Sequence, residues 1–420
     1  MARFLVQRSG PLKGEVSIAG AKNAVLPLMA ASLLTDEPCE IDGIPMLRDV
    51  EVMCDLLRSV GLCVSENYGE EVVRTEKKGE ILSEAPYELS SRMRASILIM
   101  GPILAVSGRA KMPLPGGCAI GKRPINLHLK GFRALGAEID ERLGYVEAKA
   151  EKLRGANIYL DTPSVGATEN IMMAAVLAEG VTVIENAASE PEIIDLASFL
   201  SKMGAKIRGA GTQTIRIEGV ESLHGTRHAV IPDRIELGTF MVAAAITHGE
   251  IIIKNGLSNH VRPVIAKLGE CGVFVEETDE GLFVSAKDRE ILATDIKTLP
   301  YPGFPTDMQP QFMALLTGAS GQSTVSETVF ENRYMHVAEL NRMGANIKIV
   351  DGQAIIPGGK TLSGAEVIAT DLRAGAAMVL AGLSADGTTQ ISEIYHIERG
   401  YSHFTEKFKK LGANIFRIDD

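Results

Sequence analysis

Apolar residues run along the chain in two alternating patterns. In the first, a segment is apolar nearly all round, as in Ile171-Met172-Met173-Ala174-Ala175-Val176-Leu177-Ala178. A helix of that kind is stable only when buried on every side. Six such helices are predicted, over 24–34, 95–106, 170–178, 238–247, 311–317 and 374–384. After most of them come a glycine and a strand, as in Gly180-Val181-Thr182-Val183-Ile184, Gly249-Glu250-Ile251-Ile252-Ile253 and Gly387-Thr388-Thr389-Gln390-Ile391. The second pattern is an amphipathic helix that stops at glycine. It occurs at Leu57–Gly61, Phe132–Gly136, Leu200–Gly204, Leu268–Gly272, Leu340–Gly344 and Phe408–Gly412. Glycine suits the left-handed residue that closes a helix. A strand is expected after it, as at Ala137-Glu138-Ile139, Ala345-Asn346-Ile347 or Ala413-Asn414-Ile415. One such joint is commonplace, but these six glycines stand 75, 68, 68, 72 and 68 residues apart, the regular spacing of a repeat architecture. Each unit of roughly 70 residues reads buried helix, strand, surface helix, glycine, strands.

This is an α/β chain of six units. A single core of 420 residues would be unusually large, which favours two globules of three units each. The expected division sets 1–20 with 231–420 (repeats four to six) against 21–230 (repeats one to three), with a cleft between two domains as the usual place for a ligand.

Composition narrows the function. The chain is 45% hydrophobic and 23% charged, too apolar for disorder, and its net charge of −10 disfavours nucleic acid and anionic membranes as partners. The longest strongly apolar stretch, 97–106, is broken by Gly101 and Pro102 and reaches about half the length a bilayer needs. No secretory h-region follows Met1, so a cytoplasmic protein is expected. The five cysteines are widely spaced without C-x-x-C, and no H-E-x-x-H occurs, so neither a disulfide framework nor a metal site is expected.

The informative residues stand where the buried helices begin: Lys22-Asn23, Arg92 with Arg94, Ser164-Val165-Gly166 with Thr168, Asp233-Arg234 with Glu236, Asp307, and Asp371 with Arg373. Asp and Thr there have an ordinary reading as N-caps. Lys22, Arg92 and Arg94 do not, because a cation opposes the helix dipole; they suggest an anion from outside. From Leu89 to Ala137 there is no Asp or Glu in 49 residues, while Arg92, Arg94, Arg109, Lys111, Lys122, Arg123, Lys130 and Arg133 all fall in that window. Within it lies the loop 113–124, Pro113-Leu114-Pro115-Gly116-Gly117-Cys118-Ala119-Ile120-Gly121-Lys122-Arg123-Pro124. It nearly matches a P-loop, but Arg123 stands where Ser or Thr should hold magnesium, and no G-x-G-x-x-G occurs elsewhere. Its prolines and glycines suit a lid, and Cys118 lies in it near cations that would favour a thiolate or a tuned acid. The other four cysteines sit in apolar or strand-like contexts and read as inert.

At these residues the chain resembles the UDP-N-acetylglucosamine enolpyruvyl transferases. The matching motifs are Gly20-Ala21-Lys22-Asn23-Ala24, Met93-Arg94-Ala95-Ser96, Leu114-Pro115-Gly116-Gly117-Cys118, Gly121-Lys122-Arg123-Pro124 and Ser164-Val165-Gly166-Ala167-Thr168. Phe304-Pro305-Thr306-Asp307-Met308-Gln309, Phe330-Glu331-Asn332-Arg333, Thr370-Asp371-Leu372-Arg373 and His396-Ile397-Glu398-Arg399-Gly400 extend the match through the second half. The resemblance implies two inside-out α/β barrels of three repeats each, with helices at the centre. It also implies a transfer that needs no metal or organic cofactor and begins peptidoglycan synthesis: the sugar 3-hydroxyl adds to C2 of phosphoenolpyruvate, C3 is protonated, and phosphate leaves.

By the same resemblance Cys118 donates the proton and can form a phospholactoyl adduct, Asp307 is the base, and Lys22, Asn23, Arg123 and Arg399 hold phosphoenolpyruvate, with Lys22 and Arg399 counted among the catalytic groups. UDP-N-acetylglucosamine is expected at Asn23, Arg94, Arg123, Pro124, Ile125, Asn126, Leu127, Ser164, Val165, Gly166, Asp307 and Val329. Thr162 and Asn126 depart from residues that some members carry, Lys and Asp respectively. The sister enzyme acting on shikimate 3-phosphate would show Lys-Ser where this chain has Lys22-Asn23, and would lack the lid cysteine. A silent sugar-nucleotide sensor would have lost Cys118, Asp307 or Lys22, and the cysteine-bearing lid argues against an unrelated phosphosugar binder. An epoxide mimic of phosphoenolpyruvate is expected to label Cys118 alone; mass spectrometry finding the label on Cys39, Cys54, Cys63 or Cys271 would refute this reactivity.

Overall fold

The structure is a computed structural model and describes residues 2–114 and 124–419. They form two compact units: residues 2–19 with 232–419, and residues 20–114 with 124–231. The main helices are α1 (Lys22–Ala31), α2 (Arg48–Ser59), α3 (Met100–Ser107), α4 (Asn126–Ala134), α5 (Val165–Ala175), α6 (Pro191–Lys202), α7 (Arg234–Ile246), α8 (Arg262–Glu270), α9 (Gln309–Thr317), α10 (His336–Arg342), α11 (Leu372–Ser384) and α12 (Phe404–Lys410).

The odd-numbered helices are those read as apolar. Every residue of α7 from Ile235 to Ala245 is buried, and α7, α9 and α11 pack pairwise on one another. In the unit of residues 20–231, α5 packs on both α1 and α3. The helices begin earlier than the apolar runs suggest: α5 starts at Val165 rather than 170, and α7 at Arg234 rather than 238. The reason is that polar residues at these starts, including Thr168, Glu169, Asn170 and Glu236, are buried with the rest. The segment expected as one helix over 95–106 is instead a 3-10 turn, Arg94–Ile99, that runs into α3.

The even-numbered helices end as the spacing predicts. Gly61, Gly136, Gly204, Gly272, Gly344 and Gly412 follow them with φ of 109°, 96°, 103°, 86°, 97° and 93°. Each unit holds three sheets among its described residues. Five of the six sheets have four strands, and in each of these a parallel strand flanks an otherwise antiparallel set. The flanking strand ties distant segments together: Arg227–Ala229 lies parallel to Cys39–Asp42, and Lys13–Ser17 lies parallel to Glu250–Lys254. The second pairing fixes the N-terminal residues in the unit of the chain's second half. One expected strand is corrected: 345–347 is not paired, Asn346 is left-handed at φ 63°, and the strand begins at Lys348. Among the described residues no helix is long and apolar enough to cross a membrane.

Gly344→Ala and Gly219→Ala separate two demands on glycine. At Gly344 a Cβ meets open space but φ is positive, so a loss of about 1 kcal/mol is expected. At Gly219 a Cβ would lie 1.6 Å from the Ala178 carbonyl oxygen, and about 3 kcal/mol is expected. Urea unfolding midpoints at constant m-value check the order.

Candidate active site

In the unit of residues 20–231 the cations do not stand bare. Lys22, at the start of α1, pairs through Nζ with Asp49 at 2.6 Å, and both side chains are largely buried. The first turn of α2 thus supplies Lys22 with an anionic partner from within the unit. Arg94 opens the 3-10 turn that packs on α1 and α5. Its charge and, above all, burial push the His128 imidazole down to about 4. His128 Nδ1 lies 3.0 Å from the Asn170 amide nitrogen, which can only donate, so Nδ1 accepts and the ring proton sits on Nε2. Asn170 also donates to the Ile97 carbonyl at 2.8 Å and accepts from the Gly101 N–H at 2.7 Å. One buried amide thus holds α5, α4 and the start of α3 together. Ser164 caps α5, its hydroxyl accepting from the Ala167 N–H at 3.4 Å. Val165 and Gly166 follow as the first helical residues, and a Cβ on Gly166 would stand 3.4 Å from the His128 ring. Ile125 and Leu127 are buried at the start of α4, while Pro124 and Asn126 are exposed, as is Asn23 on α1. Exposed Arg92 lies two residues before that 3-10 turn, outside any helix start.

In the unit of residues 232–419 the centre is Asp307. Its Oδ1 accepts from Arg333 Nη1 at 2.7 Å, and its Oδ2 accepts from Arg373 Nε at 3.1 Å. Both arginines are almost fully buried. Burial opposes the charge on Arg373, but Tyr401, Asp307 and Asp233 outweigh it and raise its pKa. Val329 is drawn to the same place: its N–H and the Thr306 hydroxyl both donate to Glu327, and Thr306 in turn accepts from Arg333. Asp371 caps α11 by accepting from the Arg373 and Ala374 N–H groups at 2.8 and 3.1 Å, and Asp233 caps α7 in the same way. For these two the capping reading is the correct one. Arg399 follows a short helix, Tyr395–Glu398, that packs on α11. Burial and then Arg399 lower the pKa of His396, so the two lie within electrostatic reach.

Cys118 and Arg123, with Lys122 and the rest of 115–123, lie outside the described residues. Among the described cysteines, burial raises the thiols of Cys54 and Cys271 to about 12; burial also pushes the Cys39 thiol above its ordinary value. The sequence reading names Arg373 among the helix-start residues without giving it a role, and does not single out Asp49, His128 or Arg333 as site residues. Arg333 and Arg373 carried a signal, since each ends a matching motif; Asp49 and His128 carried none, because the contacts that matter come from other elements. Among the described residues no group of three His, Cys, Asp or Glu side chains could hold a metal ion.

The charged residues of this α/β repeat gather at helix starts, and comparison with known proteins defines the class. Residues 6–408 match the profile of EPSP synthase (3-phosphoshikimate 1-carboxyvinyltransferase), and the chain belongs to this family. It is 62% identical over 416 residues to UDP-N-acetylglucosamine 1-carboxyvinyltransferase 1 of Caldanaerobacter subterraneus subsp. tengcongensis, covering 99% of each chain. It is 56% identical to UDP-N-acetylglucosamine 1-carboxyvinyltransferase 2 of Carboxydothermus hydrogenoformans across 100% of both, and 57% identical to the Finegoldia magna enzyme across 99% of this chain and 98% of that one. Among solved structures, the enolpyruvyl transferase NikO from Streptomyces tendae matches with a TM-score of 0.88 at 23% identity, covering 99% of this chain and 98% of that one. EPSP synthase from Acinetobacter baumannii matches with 0.77 at 20% identity over the whole of both chains. At such identities these two show a shared fold.

His128 and His336 make a pH prediction. Burial brings each imidazole down to about 4, against an ordinary value near 6.5. Between those values the unfolded chain binds more protons, so stability is expected to fall as the pH drops from 6.5 to 4, by at most about 3 kcal/mol per histidine. Denaturant unfolding across that range checks the slope, and His336→Asn should flatten it.

Proposed function

We propose that the protein transfers the enolpyruvyl group of phosphoenolpyruvate to the 3-hydroxyl of UDP-N-acetylglucosamine and releases phosphate, in the cytoplasm, as the committed step of peptidoglycan synthesis. One observation carries this reading: an end-to-end identity of 56–62% with proteins bearing that activity in their names. Each three-sheet unit is read as an inside-out α/β barrel. The substrates are the partners, and no cofactor takes part.

The chemistry assigns a task to each residue. Asp307 takes the proton of the sugar hydroxyl as its oxygen bonds to C2. The two arginines on Asp307 support this role, since one guanidinium on each carboxylate oxygen fixes its orientation. Cys118 delivers a proton to C3, and the positive charge that develops at C2 is met by the new C–O bond. Phosphate then leaves C2, C3 returns its proton, and the double bond is restored. Lys22, Asn23, Arg123 and Arg399 bind phosphate and carboxylate through charge-assisted and neutral hydrogen bonds. The nucleotide is assigned to Asn23, Arg94, Arg123, Pro124, Ile125, Asn126, Leu127, Ser164, Val165, Gly166, Asp307 and Val329. Support comes from α5, whose opening N–H groups suit a diphosphate, and from neutral His128 with its proton on Nε2 beside Gly166.

Phosphate release is expected with both substrates together and with neither alone; release with shikimate 3-phosphate in place of the sugar nucleotide would move the assignment to the sister reaction. Asp307→Asn should lower kcat by about 100-fold or more while nucleotide affinity changes little. The reverse pattern, read by isothermal titration and turnover, would make Asp307 a binding residue only.

A further inference from the structure

Within the unit of residues 20–231 a buried imidazole and carboxylate serve none of the roles above. The face of α6 that turns inward carries Asp195 and Phe199, with Lys202 exposed at the helix end, and Asp195 and His228 are each about one-twentieth exposed. His228 projects from the strand Arg227–Ala229, edge-on to the Phe199 ring at 5.7 Å. Lys202 Nζ lies 3.0 Å from His228 Nδ1, and Nε2 lies 2.8 Å from Asp195 Oδ1. An ammonium can only donate, so Nδ1 accepts and Nε2–H donates to Asp195. The other carboxylate oxygen accepts from the Ile231 N–H at 3.4 Å. The Ile231 carbonyl accepts from the Ala21 N–H at 2.7 Å, and the Ala21 carbonyl accepts from Ala24 and Val25 at 3.1 and 2.9 Å. This chain of contacts ends in the first turn of α1, the turn that carries Lys22 and Asn23.

That turn is poorly held from within. α5, α7 and α11 open on Ser164, Asp233 and Asp371, which cap them through side chains; α1 opens on Ala21, which brings no side-chain acceptor. Pro27 lacks the N–H that would bond the Asn23 carbonyl, which removes another helical bond from the same turn. On the other side Gly20 is wedged, since a Cβ there would stand 2.0 Å from the Gly43 carbonyl oxygen and 2.4 Å from Val230. We propose that Asp195, braced by His228 and Lys202, is a positioning residue that sets the first turn of α1 and thereby Lys22 and Asn23. Its effect on turnover rests on the reaction proposed above; its effect on the turn does not.

Two readouts on the full chain test this. In Asp195→Ala and His228→Ala the amides of residues 21–26 should exchange with deuterium about tenfold faster than in the parent. The KM for phosphoenolpyruvate should rise about 10- to 100-fold with a smaller change in kcat, as expected when a binding group shifts by a fraction of an ångström to an ångström. His228→Gln, whose amide can still donate to Asp195, should recover most of both losses. Lys202→Met leaves no cavity and removes only the outer brace, so it should show the same pattern at smaller amplitude even if the alanine variants fail to fold. Unchanged exchange and unchanged KM in Lys202→Met and in whichever alanine variant folds would overturn the proposal, as would a fall in melting temperature alone. Absence of phosphate release by the parent would refute the reaction, and the exchange comparison would still decide the positioning role.

Discussion

A helix without a polar face has nowhere to go except the interior, and this one constraint organises the molecule. Six segments of the chain are apolar on all sides, and each becomes a buried helix with strands and an amphipathic helix around it. Burial leaves such a helix no lateral surface for chemistry. What remains polar are its ends, where the backbone has groups the helix itself cannot satisfy. The charged and hydrogen-bonding residues of the repeats therefore collect at helix starts for the same reason that the helix bodies are apolar.

Gathering charge at buried ends has a cost that the structure meets by pairing. Lys22 is set against Asp49, and Asp307 stands between Arg333 and Arg373. A lone ion at any of these depths would be strongly disfavoured, whereas a pair with complementary hydrogen bonds is tolerated and rigid. Where a neutral group serves, the same depth keeps it neutral, as burial does for His128 and His336. The polar residues inside the helix bodies follow the same rule. Asn170 satisfies three neighbours, and Thr239 and Gln311 meet the Tyr401 hydroxyl at 2.9 and 3.4 Å.

The parts of this arrangement visible in the sequence are those set by local pattern. Glycines at 61, 136, 204, 272, 344 and 412 could be read because a left-handed helix end is a local event. The caps Asp233 and Asp371 could be read for the same reason, whereas Thr168 lies inside α5 and Ser164 caps that helix instead. Helix starts lie earlier than the apolar runs because Thr168, Glu169 and Asn170 are polar residues that only their packed partners bury. The strand after Gly344 starts later than its pattern suggests because nothing in Ala345-Asn346-Ile347 announces that Asn346 turns left-handed. Asp49 was invisible as the partner of Lys22, because 27 residues and a change of element separate them. Contacts of that kind are properties of the packed chain, and no spacing rule contains them.

The segments where the chain passes between its two units carry a further regularity. On one side the Ile231 N–H meets the Asp195 carboxylate, which His228 and Lys202 support. On the other the Ala19 N–H donates to Glu236 at 2.8 Å, and Lys407 from α12 donates to the second oxygen at 2.6 Å. Burial raises the pKa of Glu236 while Lys407 and the Ala19 N–H work against it, so the carboxylate depends on those two partners for its charge. The Ala19 carbonyl in turn accepts from Asp233, the cap of α7, just as Ile231 accepts from Ala21 at the start of α1. In each unit, then, a buried carboxylate backed by a cationic or imidazole side chain fixes one strand of the crossing and, through it, the first turn of a buried helix. A repeat protein that places its chemistry on helix starts gains most by fixing those starts.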